Sequence, residues 1–198
     1  MVQKPYQKIF RKNASFLFDI LSNNISKELL DTDPVISGGY MLSVLSNPNV
    51  SRYIANFNSF EKIIKKNYKY GDIDLFYLNE NKNKSQVGEI LKSQGYSSLY
   101  TSKFSKTYTK YESRVVNSLN TYTKKVIQQI VMKFDTIDDI FSSFDIANCK
   151  VAYHKGYLYF TDDFLESWKK LEIVYNKVLK EKETITDMVF QCSRIIKY

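Results

Sequence analysis

The chain has 198 residues, 29 Lys+Arg against 21 Asp+Glu, a formal charge of +8 and a hydrophobic fraction of 43%. That balance excludes wholesale disorder, and 6 Gly with 3 Pro exclude a collagen-like or linker-dominated chain. Two cysteines, Cys149 and Cys192, are too few for a disulfide framework or a structural zinc site, so a reducing, cytoplasmic setting is expected.

The elements follow in chain order. Residues 7–23 read as an amphipathic helix, with Phe10, Phe16, Leu17, Ile20 and Leu21 at helical spacings. Asp19 interrupts this apolar stretch, so it is not read as a signal peptide. No stretch reaches the roughly 18 apolar residues that span a bilayer, and no membrane partner is expected. A short helix is predicted over Ser26–Leu30, then a turn at Asp31–Pro34. Val35-Ile36 is a short strand running into Ser37-Gly38-Gly39, and Tyr40–Leu45 opens a helix. Residues 51–66 read as helical, ending in the basic stretch Lys62–Lys69.

Asp72–Leu78 is a strand by its alternation, followed by a polar loop and a helix over Ser85–Gln94 with Gly95 at its end. Strands are predicted near 99–110, 113–121 and 125–134, and a short helix over Thr136–Phe144. Ile146–Tyr153 and Tyr157–Phe160 form a hairpin around Lys155-Gly156. Thr161 caps a helix whose stripe is Phe164, Trp168, Leu171, Tyr175 and Val178; a last helix opens at Thr184. The fold class is α+β: residues 1–34 an N-terminal helical segment, 35–160 a catalytic domain on a mixed sheet, 161–198 C-terminal helices packing on it.

The chemistry concentrates in two places. Strand side chains alternate faces, so Asp72 and Asp74 point the same way. Two carboxylates side by side repel, and a divalent cation removes the repulsion; Mg²⁺ takes such oxygen ligands. Two glycines at a strand-to-helix junction let backbone N–H groups approach a phosphate closely. Phosphates on one side and metal-binding carboxylates on the other are what nucleotidyl transfer requires.

Ile36-Ser37-Gly38-Gly39-Tyr40 and Asp72-Ile73-Asp74-Leu75 resemble the motifs of the nucleotidyltransferase superfamily typified by DNA polymerase beta, including its viral and phage-type members. The 32 residues between Gly39 and Asp72 exceed that pattern, making Asn47–Tyr70 an insertion. The resemblance implies a nucleotidyltransferase-like sheet, Ser37, Gly38 and Gly39 on the triphosphate, and Mg²⁺ (or Mn²⁺) on Asp72 and Asp74. It also implies a third carboxylate, for which Asp145 is preferred over Asp135. Alternatively Asp145 is a helix-to-strand turn residue, and Gln128 or Gln129 takes the third position. Ser37 either donates to phosphate or caps the following helix.

The remaining polar and aromatic positions read as structural. His154, the only histidine, is expected to be exposed beside its hairpin turn; Cys149, Cys192 and Trp168 are expected in the core. Lys103, Lys106 and Lys110 interleave with Phe104, Tyr108 and Tyr111, either as a surface for single-stranded RNA or as one wet face of a sheet.

The function expected is transfer of a nucleoside monophosphate from an NTP to a hydroxyl of an RNA 3′ end, a small molecule or a protein. The same chemistry would serve a toxin or an antidefence factor. The alternative is a catalytically inactive module that binds nucleic acid or a protein partner.

Overall fold

The computed structural model describes residues 8–46, 50, 72–103 and 114–170. An eight-stranded mixed sheet carries the chain, with six α-helices among the described residues. In chain order these are β1 (Ile9–Asn13), α1 (Leu17–Ser22), α2 (Lys27–Leu30), β2 (Val35–Ser37), α3 (Gly39–Leu45) and β3 (Asp72–Leu78). Then come α4 (Val87–Ser93), β4 (Tyr96–Lys103), β5 (Arg114–Asn120), β6 (Val126–Phe134), α5 (Ile137–Ser142), β7 (Val151–His154), β8 (Tyr157–Thr161) and α6 (Asp162–Lys170). The spatial order is β1-β8-β7-β2-β3-β6-β5-β4. Only the β3–β6 pair is parallel; every other neighbour is antiparallel.

Most elements lie where periodicity and turn chemistry place them. Ser26 caps α2 by accepting the Leu29 N–H, Thr136 and Asp139 form a reciprocal capping box on α5, and Thr161 Oγ1 accepts the Phe164 N–H at the start of α6. Gly95 takes φ +78° after α4, a conformation that favours glycine.

The N-terminus departs from expectation. Residues 9–13 are not helical; they form the edge strand β1, paired with β8. Phe10 stacks on Phe160 (5.5 Å) and the Arg11 guanidinium lies 3.6 Å over the Tyr157 ring. These cross-strand contacts and the β8 hydrogen bonds outweigh a helical spacing that is realised only from Leu17 onward.

Burial divides the molecule into two layers. Leu17 and Leu21, Leu29, Met41 and Leu45, Val87 and Leu91, and Phe164 and Trp168 bring α1, α2, α3, α4 and α6 onto one sheet face over Ile36, Ile73, Leu75, Ile127 and Leu158. On the other face α5, the one helix there among the described residues, supplies Ile140 and Phe141, packed over Val35, Phe76, Leu78 and Phe134. Cys149 and Trp168 are buried, as expected. His154 is not exposed: only 8% of its surface is accessible, because its ring packs under the chain at Pro34. The expected helices over 51–66 and beyond Thr184, Cys192, and the aromatic-basic residues 104–111 lie outside the described residues.

Candidate functional site

The two glycines and the two carboxylates meet. Ser37 at the end of β2 stands directly opposite Asp74 on β3, so the turn into α3 lies beside the start of β3. Gly38 makes that turn with φ +80°, a conformation that an L side chain rarely adopts. A Cβ added there would lie 2.9 Å from Asp74 Oδ2. Glycine is thus required twice, by backbone conformation and by the approach of a carboxylate. Asp72 and Asp74 are both half-buried, on the face opposite the buried Ile73 and Leu75.

Neighbouring strands extend this polar corner. Asp74 is in register with Gln128 on β6, and Gln128 with Asn117 on β5. The Gln128 amide nitrogen lies 3.1 Å from Asp72 Oδ2 and 2.8 Å from Asn117 Oδ1, donating to both. A polar row thereby crosses four strands: Ser37, Asp74, Gln128, Asn117. Gln129 falls on the other face, its amide 3.5 Å from the Lys84 carbonyl.

The remaining expected residues sit elsewhere or are otherwise engaged. The Ser37 hydroxyl is fully buried and donates to the Val151 carbonyl (2.7 Å), with that of Cys149 at 3.4 Å. It ties β2 to the start of β7, and no side chain caps α3. Asp145 lies in the turn between α5 and the 3₁₀ turn Ala147–Cys149, next to Phe144, whose ring meets Phe76 edge-on at 5.7 Å. Asp135 is exposed and accepts the Asn79 amide at 2.6 Å. Among the described residues no three His, Cys, Asp or Glu side chains converge into a group able to hold a metal, so the acidic set assembled here is the pair Asp72 and Asp74.

Two polar residues of this region escaped the sequence reading. Asn117 lies in the mixed run Val115-Val116-Asn117-Ser118-Leu119, and only the cross-strand register reveals its partner. Lys150 is buried between the 3₁₀ turn and β7, with its ammonium 3.5 Å from Asp163 of α6. A lysine inside the apolar run Cys149-Lys150-Val151-Ala152 was the available signal, since lysines are rarely fully buried unless paired.

The pair is chemically suited to a divalent cation: two hard oxygen donors from one strand face, beside a backbone without a side chain. A family model described as Gabija anti-defense 2 family protein (Gad2) matches residues 7–171. The chain belongs to that family. The match runs from β1 through α6 and includes the glycine turn and both carboxylates. It overturns the resemblance to the nucleotidyltransferase superfamily, because no nucleotidyltransferase family matches. Neither the curated proteins nor the solved structures provide a match. Among the described residues no helix is long and apolar enough to cross a membrane.

Proposed function

We propose that this protein counteracts the Gabija defence by divalent-metal-dependent nucleotidyl transfer, acting in the host cytoplasm at the corner formed by Gly38, Gly39, Asp72 and Asp74. The observation that carries the proposal is the apposition of Gly38 and Asp74, with room for no side chain between them. The family description supplies the biological setting; the chemistry follows from the donor set.

Asp72 and Asp74 would hold Mg²⁺ (or Mn²⁺), and the backbone N–H groups at Gly38 and Gly39 would orient the triphosphate. A cation held by these two residues would supply positive charge to offset that of the phosphates, the acceptor oxygen and the departing pyrophosphate. The acceptor oxygen bonds to the α-phosphorus as the bond to pyrophosphate breaks, and the acceptor proton leaves to water. The positive net charge draws polyphosphate or RNA to the surface. The acceptor is a hydroxyl of RNA, of a small molecule or of a component of the Gabija defence.

The test is incubation of the full chain with Mg²⁺, each of the four NTPs labelled at the α-phosphate, RNA and the Gabija components. Label should pass to one acceptor and be lost in the variant Asp72→Asn with Asp74→Asn. Equal transfer by that variant contradicts the proposal. A second reading, an inactive module that binds a protein or nucleic-acid partner, is favoured by one observation: an amide, Gln128, stands in register beside Asp74. It predicts partner binding unchanged in the same variant and no labelled product with wild type.

A further inference from the structure

We infer that the cleft between α5 and the β1–β8 pair binds single-stranded nucleic acid, with a base stacked on Arg11. The inference goes beyond the metal-nucleotide reading and uses none of its residues. Arg11 on the edge strand β1 stands opposite Tyr159 on β8, and Tyr157, two residues away, shares that face. The Arg11 guanidinium lies 3.6 Å over the ring of Tyr157, its diagonal neighbour, and 5.8 Å over that of Tyr159. A guanidinium is planar and weakly hydrated, so it lies flat on one aromatic face and offers its other face to a second ring. Arg11 is exposed, and among the described residues no carboxylate pairs with it. Its charge is therefore not spent on an ion pair there.

The surroundings select the ligand. The cleft has a volume of about 590 Å³, within the range of small-ligand pockets, with Ile9, Tyr157 and Tyr159 on the strand side and Glu80, Ile137 and Asp138 on the other. The carboxylates can accept the amino hydrogens of a base, and they repel phosphate. The strand side is the reverse: Lys8, Arg11 and Lys12 are exposed, and residues 8–13 include no acidic side chain. An aromatic platform beside a cationic track takes an unpaired strand, because the bases of a duplex are already stacked on one another. Register places the cleft on the carboxylate face but apart from the carboxylates. Asp74 stands opposite Ser37, Ser37 opposite Ala152, and Ala152 opposite Tyr159. Three strand spacings make about 14 Å.

The test is fluorescence anisotropy of labelled single-stranded RNA and DNA oligonucleotides of mixed sequence with the full chain, with melting temperatures to check folding. Wild type should bind one or both about tenfold more tightly than the matching duplex. Arg11→Lys keeps the charge and loses the flat face, so it should weaken strand binding about tenfold, as should Tyr157→Leu. Arg11 is exposed, so its variant keeps the test sound if Tyr157→Leu fails to fold. Asp72→Asn with Asp74→Asn should bind the strand like wild type, which separates this cleft from the metal-nucleotide corner. The inference is overturned if wild type binds no strand, binds the duplex equally well, or binds no better than Arg11→Lys. Loss of strand binding in the carboxylate double variant would overturn it too, by assigning the strand to that corner. Equally effective competition by mononucleotides would show that no strand is needed.

Discussion

One face of β3 is two surfaces. At its start, Asp72 and Asp74 are half-buried and join Gln128, Asn117 and the Gly38 turn. At its end, Phe76 and Leu78 are buried under α5, with Phe134 and Phe144 edge-on to the Phe76 ring at 5.7 Å each. The change takes two residues. The apolar half has shape and area to bind the sheet to α5. The polar half has carboxylates that no helix covers among the described residues, and a backbone bend that excludes side chains.

If that division is right, the two halves should break differently. The largest loss should come from Phe76→Ala, which removes a buried ring with two aromatic neighbours and leaves a cavity; urea unfolding should show about 3–5 kcal/mol of destabilisation. A loss under about 1 kcal/mol would mean that the apolar half is not the anchor. Gly38→Ala should cost less stability, about 1–3 kcal/mol from the positive φ and the approach to Asp74. Unlike Phe76→Ala, it should also displace Asp74 and reduce Mn²⁺ affinity at a temperature where the variant is fully folded. Wild-type Mn²⁺ affinity in Gly38→Ala would separate the bend from the carboxylates.

The smallest effect belongs to His154, beyond the apolar half. Burial lowers its pKa below the ordinary 6.5; the hydrogen bond from Nδ1–H to the Pro34 carbonyl opposes the shift, Lys155 assists it, and Asp33 and Glu80 oppose it. The folded imidazole resists protonation, so as pH falls below 6.5 the unfolded chain takes up the proton first. The contribution of His154 to stability is present above 6.5 and declines as pH drops toward the lowered folded value. The melting temperature of wild type should therefore fall between pH 7 and pH 5 more than that of His154→Asn. Parallel curves would show that the buried ring titrates normally.

What the sequence discloses and what it hides follow from the range of the forces involved. Asp72–Leu78 is legible because the alternation of acidic and apolar residues at its start is written locally, and the Thr161, Ser26 and Gly95 helix ends are legible because caps act within one turn. Residues 9–13 are misread because their apolar spacing continues smoothly into α1, and only pairing with β8, far along the chain, decides their conformation. His154 is misread for the same reason: a Lys-Gly turn beside it argues exposure, while the Pro34 segment that covers it comes from another part of the chain. At the site, the shared direction of Asp72 and Asp74 is legible from strand geometry. Their meeting with Gly38 needs the β2–β3 register, and the Gln128–Asn117 chain needs two registers more. The superfamily resemblance rests on short motifs, and the family match over residues 7–171 overturns it.

The central claim is that the carboxylate pair and the glycine turn together receive a metal-bound nucleotide. Calorimetric titration of a non-hydrolysable NTP analogue into the full chain, with and without Mg²⁺, tests it most directly. Binding that requires Mg²⁺ in wild type and disappears in Asp72→Asn with Asp74→Asn is the predicted result. Nucleotide affinity indifferent to Mg²⁺, or retained in that variant, would contradict it.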